Sequence, residues 1–306
     1  MTDRGLPTRT LGRTGLEVTT LGYGAMSLDD RFGRTVSDAE ASAVLNAALD
    51  AGINFIDTAP DYGPSEEMIG KAIAGRRGEY ILATKCGCPV AEGASGHVYT
   101  PENIVAAVEQ SLRRMRTDYL DVVQFHGSPA PATLAEHDAI EALLGLKRDG
   151  KVRFIGMSAT LPHLEAYVAS GAFDVFQIPY SALQRDHEVL ITRAASEGAG
   201  TVIRGGVARG APSEEKDWDI RRLPEVAPER PRLLWESADL DDLLDGESRM
   251  AFMLRFTLSH PDLHTTIVGT ANPEHLRANI EAVRAGPLAA DVYAEARQRL
   301  DAAASS

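Results

Sequence analysis

The sequence predicts an α/β fold, a (β/α)8 TIM barrel formed by one domain that spans residues 1–306. Short apolar runs alternate with amphipathic helical patterns, and the apolar runs are nearly continuous, as in parallel strands buried on both faces. Eight such runs favour a closed barrel, although an open doubly wound sheet of similar size has the same alternation. The predicted strands are Thr19–Gly24, Ile53–Asp57, Tyr80–Thr84, Tyr119–Phe125, Val152–Gly156, Val175–Ile178, Thr201–Ile203 and His264–Val268.

Amphipathic patterns between these runs predict the helices of the barrel. Thr100 and Pro101 supply a capping hydroxyl and a first-turn proline, which together are typical of a helix start. Gly52, Gly150 and Gly171 stand where three helices should end, because glycine readily adopts the left-handed conformation of a C-terminal cap. The predicted helices include Asp38–Ala51, Pro101–Met115, Leu134–Arg148, Pro162–Ser170, His187–Glu197 and Ala290–Ala303.

Two segments fall outside this alternation. Thr8–Thr19 has the pattern of a short hairpin that turns at Arg13–Gly15, ahead of the first barrel strand. Ala211–Gly246 is a long, charged insertion after the seventh strand, and it contains Trp218 and Trp235. Loops of this length usually cover a site, so the two tryptophans either line a substrate pocket or fix the insertion to the barrel.

Composition narrows the class of protein. Forty-four acidic residues against 31 lysines and arginines give a net charge of −13, which argues against binding to nucleic acids or anionic membranes. No window approaches the roughly 18 uninterrupted apolar residues of a membrane span, and Met1–Thr10 lacks the apolar core of a signal peptide. The two cysteines, Cys86 and Cys88, form no disulfide framework. We therefore expect a cytoplasmic protein whose partner is a small molecule.

Four polar side chains stand at or just beyond the carboxyl ends of predicted strands. Asp57, Lys85 and His126 each follow an apolar run directly, and Tyr62 lies five residues after Asp57. The carboxyl ends of the strands meet at one face of a (β/α)8 barrel, where active sites of this fold lie. The sequence therefore predicts that these four residues form one site.

This set of residue types suits proton transfer to an oxygen atom. A tyrosine has a pKa of about 10, and a neighbouring ammonium group lowers that pKa by favouring the phenolate. A carboxylate would hold the lysine in place, and a histidine could donate a hydrogen bond to a carbonyl oxygen. Each residue alone is more often structural, so the prediction depends on the conjunction of all four. No spacing in the sequence predicts a metal site.

Further motifs accompany these four residues in the segments Asp57–Gly70, Gln124–His126, Ile155–Ser158, Gln177–Tyr180 and Ile267–Asn279. With them the chain resembles the aldo-keto reductases, in particular bacterial members, over nearly its whole length. The resemblance implies a hairpin that closes the bottom of the barrel and an extended NADP(H) across the top. It also implies that Tyr62 donates a proton, that Lys85 and Asp57 tune it, and that His126 orients the carbonyl of the substrate.

The resemblance also implies the residues that bind the cofactor, with two departures from the usual family pattern. Arg204 stands where many members have an aromatic residue that stacks on the nicotinamide, and Ala159 replaces an asparagine that contacts its carboxamide. A guanidinium plane can also stack. Glycines after the seventh strand suit a loop around the pyrophosphate. The expected cofactor-binding residues are Asp57, Ser158, Gln177, Arg204, Gly205, Gly206, Gly210, Gly269, Thr270, Asn272, His275 and Asn279.

A third departure concerns the choice of cofactor. Many family members place a lysine and an arginine on the 2′-phosphate of NADP(H), at positions that here are Gly269 and His275. Arg277 is another possible donor, and a helix that starts at Pro273 would direct its dipole towards a phosphate. NADP(H) is the expected cofactor, and NAD(H) is the alternative.

A (β/α)8 barrel is also compatible with functions other than carbonyl reduction. A cofactor-binding regulatory or scaffold subunit would need no tuned tyrosine, and a barrel hydrolase or aldolase would use Lys85 to form a Schiff base.

Cys86 and Cys88 lie too close in sequence for a relaxed disulfide, so incidental thiols are expected there. The acidic cluster Asp239–Asp245 has the pattern of a solvated helix face rather than of a metal site.

Overall fold

Eight parallel strands form a closed barrel, as the sequence predicts. The computed structural model describes residues 5–29, 35–91, 96–208 and 230–305. The barrel strands follow one another in chain order, and the last strand pairs with the first. The described strands are β1 (Thr8–Thr10), β2 (Glu17–Thr19), β3 (Leu21–Gly24), β4 (Phe55–Asp57), β5 (Ile81–Cys86), β6 (Leu120–Phe125), β7 (Val152–Ser158), β8 (Val175–Pro179), β9 (Gly200–Arg204) and β10 (Thr265–Val268).

Helices surround the barrel and start and end largely at the predicted signals. The Thr100 hydroxyl accepts a hydrogen bond from the Asn103 amide at 3.4 Å, which caps the helix that begins at Pro101. Gly52, Gly150 and Gly171 all have positive φ angles, as expected of residues that end helices. The described helices are α1 (Asp38–Asp50), α2 (Ser65–Ile73), α3 (Pro101–Met115), α4 (Pro131–Glu136), α5 (Ala139–Arg148), α6 (His163–Ser170), α7 (Glu188–Ser196), α8 (Arg230–Ser237), α9 (Arg249–Leu258), α10 (Pro273–Ala285) and α11 (Ala290–Ala304).

The single helix predicted over Leu134–Arg148 is wrong, because two short helices occupy this region. The first begins at Pro131 and ends at Glu136, and the second begins at Ala139. Between them Asp138 adopts a left-handed conformation with φ of 48°, which interrupts helical hydrogen bonding. Aspartate is one of the few residues that tolerate this conformation, and an apolar period alone cannot show that it is used.

The N-terminal hairpin closes the bottom of the barrel. Strands β1 and β2 pair in an antiparallel register from Thr8↔Thr19 to Thr10↔Glu17, joined by a 3-10 turn over Gly12–Thr14. Leu11, Leu16 and Val18 of the hairpin are buried against apolar side chains inside the barrel. The hairpin therefore acts as an apolar plug, which confirms the prediction made from the resemblance.

Part of the insertion after the seventh barrel strand packs on the barrel. Trp235 of α8 is fully buried, with its ring 5.9 Å from that of Phe252 on α9. Its indole nitrogen donates to an Asp241 carboxylate oxygen at 3.0 Å, and Arg249 pairs with the same carboxylate. Trp235 therefore fixes the insertion to the barrel, and Asp241 has a structural role. Trp218 lies outside the described residues.

Candidate active site

The four predicted residues meet at the carboxyl end of the barrel strands. Asp57 is the last residue of β4, Lys85 is the fifth of the six residues of β5, and His126 follows β6 directly. Tyr62 lies in the loop between β4 and α2. The Lys85 ammonium nitrogen is 5.2 Å from the centre of the Tyr62 ring, and the Tyr62 and His126 rings meet edge to face with centres 5.9 Å apart.

Asp57 and Lys85 form a buried ion pair at the floor of this site. The lysine nitrogen donates to Asp57 Oδ2 and to the Thr58 carbonyl oxygen, both at 2.8 Å. The side chain of Lys85 is fully buried and that of Asp57 is 2% exposed. Buried charges persist only when they are paired and hydrogen-bonded, and these contacts supply both conditions for the ammonium group.

Two glutamines complete the hydrogen bonding of the Asp57 carboxylate. Gln124 on β6 and Gln177 on β8 donate from their amide nitrogens to Asp57 Oδ1 at 3.1 Å and 2.8 Å. Ser158 at the end of β7 donates to the Gln177 amide oxygen at 3.2 Å. A continuous hydrogen-bonded chain therefore runs from Ser158 to Lys85. Gln124 belongs to one of the segments shared with the aldo-keto reductases, but the sequence does not predict it as a site residue.

The electrostatics of this floor raise the pKa of both Lys85 and Tyr62. Burial is the largest single influence on the pKa of Lys85 and lowers it, but the charge and hydrogen bond of Asp57, together with Tyr62 and Asp61, outweigh burial and leave that pKa raised. Burial raises the pKa of Tyr62, and the nearby charge of Lys85 only partly offsets this effect. The lowered tyrosine pKa expected from the sequence is therefore wrong for the free protein. Lys85 is charged and Tyr62 is a neutral phenol at neutral pH.

His126 has a polar neighbourhood that sequence reasoning missed. Its Nδ1 atom lies 3.5 Å from Asp61 Oδ1 and 3.5 Å from Cys88 Sγ. The His97 ring meets the His126 ring edge to face at 5.2 Å between centres, and the Tyr99 hydroxyl donates to the His126 carbonyl oxygen. Three of these neighbours come from the loop between β5 and α3 and one from the loop after β4. No sequence spacing indicates that the two loops meet.

The two cysteines are free, buried thiols. Burial raises the pKa of Cys88 to about 12, and it also raises the pKa of Cys86. Thiols with raised pKa values hold little thiolate at neutral pH and are poor nucleophiles. Cys88 nevertheless contacts His126, whereas Cys86 belongs to the hydrophobic core.

The segments expected to bind a cofactor lie at the ends of β7 to β10, on the same face as the four residues. Arg204 ends β9 and is half-buried, and its charge is close enough to lower the pKa of Tyr62 slightly. Gly205 has a φ of 73° with open space where a side chain would begin. Gly206 packs beneath it, since a Cβ atom there would lie 2.6 Å from the Thr266 hydroxyl oxygen. Gly210 lies outside the described residues.

The last group of expected cofactor-binding residues surrounds the start of α10. Asn272 caps this helix by accepting the Glu274 amide at 2.9 Å, and the Thr270 hydroxyl accepts the Asn272 amide at 3.0 Å. His275 is exposed in the first turn, and Asn279 is half-buried further along the helix. Gly269 packs so closely that a Cβ atom would lie 2.2 Å from the Gly24 carbonyl oxygen. The backbone here therefore leaves no room for a lysine at residue 269.

A closed parallel barrel with a buried aspartate–lysine pair beside a tyrosine and a histidine defines the class of protein, a barrel oxidoreductase. Residues 20–301 match the aldo/keto reductase family, and the chain belongs to this family. Among the described residues, every helix is too short or too polar to cross a membrane.

Relatives and solved structures agree with this family. The chain is 30% identical to the Bacillus subtilis oxidoreductase YqkF over 90% of this chain and 91% of that protein. It is also 30% identical to L-galactose dehydrogenase of Arabidopsis thaliana, covering 90% and 87% of the two chains. The structure of aldo-keto reductase AKR11C1 from Bacillus halodurans in its holo form superposes with a TM-score of 0.81 at 31% identity, covering 97% and 96% of the chains.

Proposed function

We propose that the protein reduces an aldehyde or ketone to an alcohol with a hydride from NADPH, and that Tyr62 donates the proton. The observation that carries this proposal is the buried Asp57–Lys85 pair, which lies beneath the Tyr62 ring beside His126. In the reaction the carbonyl carbon gains a hydride and the carbonyl oxygen gains a proton. The reduced nicotinamide supplies the hydride, and the protein has to supply the proton.

Tyr62 suits the role of a proton donor. Its raised pKa keeps the proton on the phenol until a substrate oxygen begins to acquire negative charge. The Lys85 ammonium stabilises the phenolate that remains after transfer, because opposite charges in a buried site interact strongly. Asp57 holds that ammonium in place. The lysine thus eases the loss of the proton without removing it in advance.

His126 is the second group that we assign to the carbonyl oxygen. Its Nδ1 atom faces Asp61 and Cys88, and we assign the other nitrogen, Nε2, to the substrate oxygen. A hydrogen bond from Nε2–H would orient the carbonyl and stabilise the charge that develops on its oxygen. This role requires the tautomer, or the charged form, that carries a proton on Nε2.

The residues at the ends of β7 to β9 fit the nicotinamide half of a dinucleotide. Ser158 donates to Gln177, so the hydroxyl oxygen of Ser158 and a second lone pair of the Gln177 amide oxygen remain as acceptors for a carboxamide. The Arg204 guanidinium suits stacking on the ring. The open backbone at Gly205 suits close approach of a pyrophosphate.

NADPH is favoured over NADH on family grounds, with NADH as the alternative. His275 and Arg277 are exposed around the first turn of α10, where a phosphate would also meet the positive end of the helix dipole. Thr270, Asn272 and Asn279 offer further polar groups nearby. Gly269 contributes no side chain, and its tight packing excludes a lysine.

The charge state of Lys85 disfavours a Schiff-base mechanism. An amine must be neutral to attack a carbonyl carbon. The Lys85 ammonium is buried, paired with Asp57 and held charged by a raised pKa. Borohydride trapping should therefore produce no adduct on Lys85.

The decisive variant is Tyr62→Phe, assayed with NADPH and a panel of aldehydes and ketones. We expect turnover to fall by about 10²–10⁴-fold, the usual contribution of a positioned proton donor, while NADPH affinity stays nearly unchanged. Tyr80→Phe is the matched control, since Tyr80 is buried just before β5 and its hydroxyl donates to the Ile73 carbonyl oxygen at 3.4 Å. Undiminished turnover in Tyr62→Phe would dismiss Tyr62 as the donor. Tight NADPH binding without turnover on any carbonyl would favour a regulatory subunit.

A further inference from the structure

Four side chains of types that can bind a metal ion converge beside the proposed catalytic centre. Asp61, Cys88, His97 and His126 each present one potential ligand atom, and all four atoms lie within 4.8 Å of one another. They comprise a carboxylate oxygen, a sulfur and two imidazole nitrogens. This combination suits Zn²⁺ and similar borderline ions, which prefer four ligands of these types.

We propose that Asp61, Cys88, His97 and His126 form a binding site for one Zn²⁺ or similar divalent transition-metal ion. Metal binding at these residues does not require that the protein reduce carbonyls. Only the consequence for His126 described below rests on the proposed function.

Two distances between these ligand atoms match the edges of a zinc coordination tetrahedron. Bonds of about 2.0–2.3 Å from zinc to nitrogen, oxygen and sulfur place the ligand atoms about 3.3–3.6 Å apart. His126 Nδ1 is 3.5 Å from Cys88 Sγ and 3.5 Å from Asp61 Oδ1. Two of the six ligand–ligand distances therefore already match this spacing, and none of the others exceeds 4.8 Å.

The fourth ligand, His97, is held near this position by its neighbours. Its ring stacks on Tyr99 with an interplanar angle of 8° and centres 6.0 Å apart. On another side it packs on Gly127, where a Cβ atom would lie 2.6 Å from the imidazole. Gly127 has a φ of 82° and no side chain, so the backbone after His126 makes space for this ring.

A second set of hydrogen bonds fixes the loop that carries Cys88 and His97. Asn103 donates from its amide nitrogen to the Cys88 and Val98 carbonyl oxygens at 3.0 Å and 2.9 Å. The Val98 amide donates to the Gly87 carbonyl oxygen at 2.8 Å. Such supporting contacts orient metal ligands and contribute to affinity. The cluster is thus a partly preformed site rather than a chance meeting of exposed side chains.

A bound ion would also select the state of His126. Zn²⁺ at Nδ1 leaves the ring proton on Nε2, which is the nitrogen assigned above to the substrate carbonyl. A coordinating thiol is deprotonated by the metal, so Cys88 would bind as a thiolate and its proton would pass to solvent. The ion and its two negatively charged ligands, Asp61 and Cys88, would then lie directly against the proposed catalytic histidine.

The test uses the full-length protein after treatment with EDTA, titrated with Co²⁺ by absorption spectroscopy and with Zn²⁺ by calorimetry. We expect one ion per chain, with the near-ultraviolet charge-transfer band of a cobalt–thiolate bond. Cys88→Ala should lose this band and weaken Zn²⁺ binding by at least about 10–100-fold, a loss typical even of residues that only support metal ligands. Cys86→Ala is the matched control, because Cys86 lies two residues away in the hydrophobic core and should retain both signals.

His97→Ala tests the site through an exposed residue, whose removal leaves the core intact. We expect it to weaken Zn²⁺ binding by on the order of tenfold or more, whereas His137→Ala, at another exposed histidine, should not. Circular dichroism and thermal unfolding of each variant separate loss of a ligand from loss of folding. A wild-type protein without the cobalt–thiolate band, or equal Zn²⁺ affinity in wild type, Cys88→Ala and His97→Ala, would overturn the proposal. These measurements involve no substrate, so they remain informative if carbonyl reduction fails.

Discussion

The two ends of the barrel interior differ in chemistry although the same strands build both. Near the bottom the interior residues are apolar and pack against the hairpin. Two residues further along, the same strands carry acidic, basic and amide side chains. Because strand side chains alternate, residues two apart point to the same side. The pairs are Phe55 and Asp57, Ala83 and Lys85, Val122 and Gln124, Val175 and Gln177, and Val202 and Arg204.

This contrast shows how a stable barrel accommodates buried charge. The lower layer excludes water through apolar contacts, so the polar layer above it needs internal partners for its buried groups. Asp57 accepts from Lys85, Gln124 and Gln177, which lie on three other strands. The polar layer is thus stabilised by mutual pairing, whereas the apolar layer is stabilised by burial. Removing one residue from each layer should have different consequences.

Removal of one charge from the upper layer should have the largest effect. Lys85→Met leaves the Asp57 carboxylate buried without its counter-ion, and we expect a loss of about 3–5 kcal/mol in the free energy of unfolding. Adding Asp57→Asn should restore part of this loss. Lys71→Met is the control, because the Lys71–Asp38 pair is exposed and should contribute at most about 1 kcal/mol. Urea unfolding measures both, and equal small losses would mean that Asp57 is stabilised by the amides alone.

Removal of an apolar residue from the bottom should cost stability without affecting turnover. Leu11 is fully buried in the plug, and Leu11→Ala should lower the free energy of unfolding by about 2–5 kcal/mol. Turnover per folded molecule should stay near wild type well below the unfolding temperature. Leu233→Ala, at a leucine that is 50% exposed, should change stability little. A large fall in turnover for Leu11→Ala would show that the two layers are coupled.

The apolar pattern by itself predicts the upper layer only where a polar residue ends an apolar run. Asp57, Lys85 and His126 stand at such ends, so they could be identified before any coordinates. Gln124 and Gln177 lie within strands, and a period of two would have placed both inside the barrel. Their hydrogen bonds to Asp57 depend on the register between strands, which one sequence does not contain. The split of the helix at Asp138 escaped prediction because a left-handed residue leaves the apolar period nearly unchanged.

The loop residues near His126 are harder to predict than the strand residues. Asp61, Cys88 and His97 come from two loops, and loop approach depends on tertiary contacts rather than on any period. Tyr62 is the loop residue that the sequence does predict, because it lies five residues after Asp57 and its phenol suits proton transfer beside Lys85 and His126. The net pKa of Tyr62 also escaped prediction, since burial outweighs the effect of Lys85. Burial of a loop side chain follows from packing that no local pattern encodes.

Gly269, which lies at the carboxyl end of the barrel, allows the contributions of tight packing and of NADPH binding to be compared at one residue. A Cβ atom at this position would lie 2.2 Å from the Gly24 carbonyl oxygen, so Gly269→Ala must displace the turn between β10 and α10. We expect a loss of about 1–3 kcal/mol in the free energy of unfolding and weaker binding of NADPH. Gly75→Ala is the control, because a Cβ atom there meets open space. A stable Gly269→Ala protein with normal NADPH affinity would show that the turn is adaptable.

The smallest predicted effect distinguishes the two cofactors at the same turn. His275 is exposed at the start of α10, where a 2′-phosphate is expected. An arginine there would add a permanent charge and a forked donor, worth about 0.3–1 kcal/mol for an exposed pair, or roughly a 2–5-fold lower dissociation constant for NADPH. NADH lacks this phosphate and should bind His275→Arg as it binds wild type. Fluorescence titration measures both constants, with His137→Arg as the control for added charge. If His275→Arg strengthened both cofactors equally, residue 275 would interact with a part of the dinucleotide that they share.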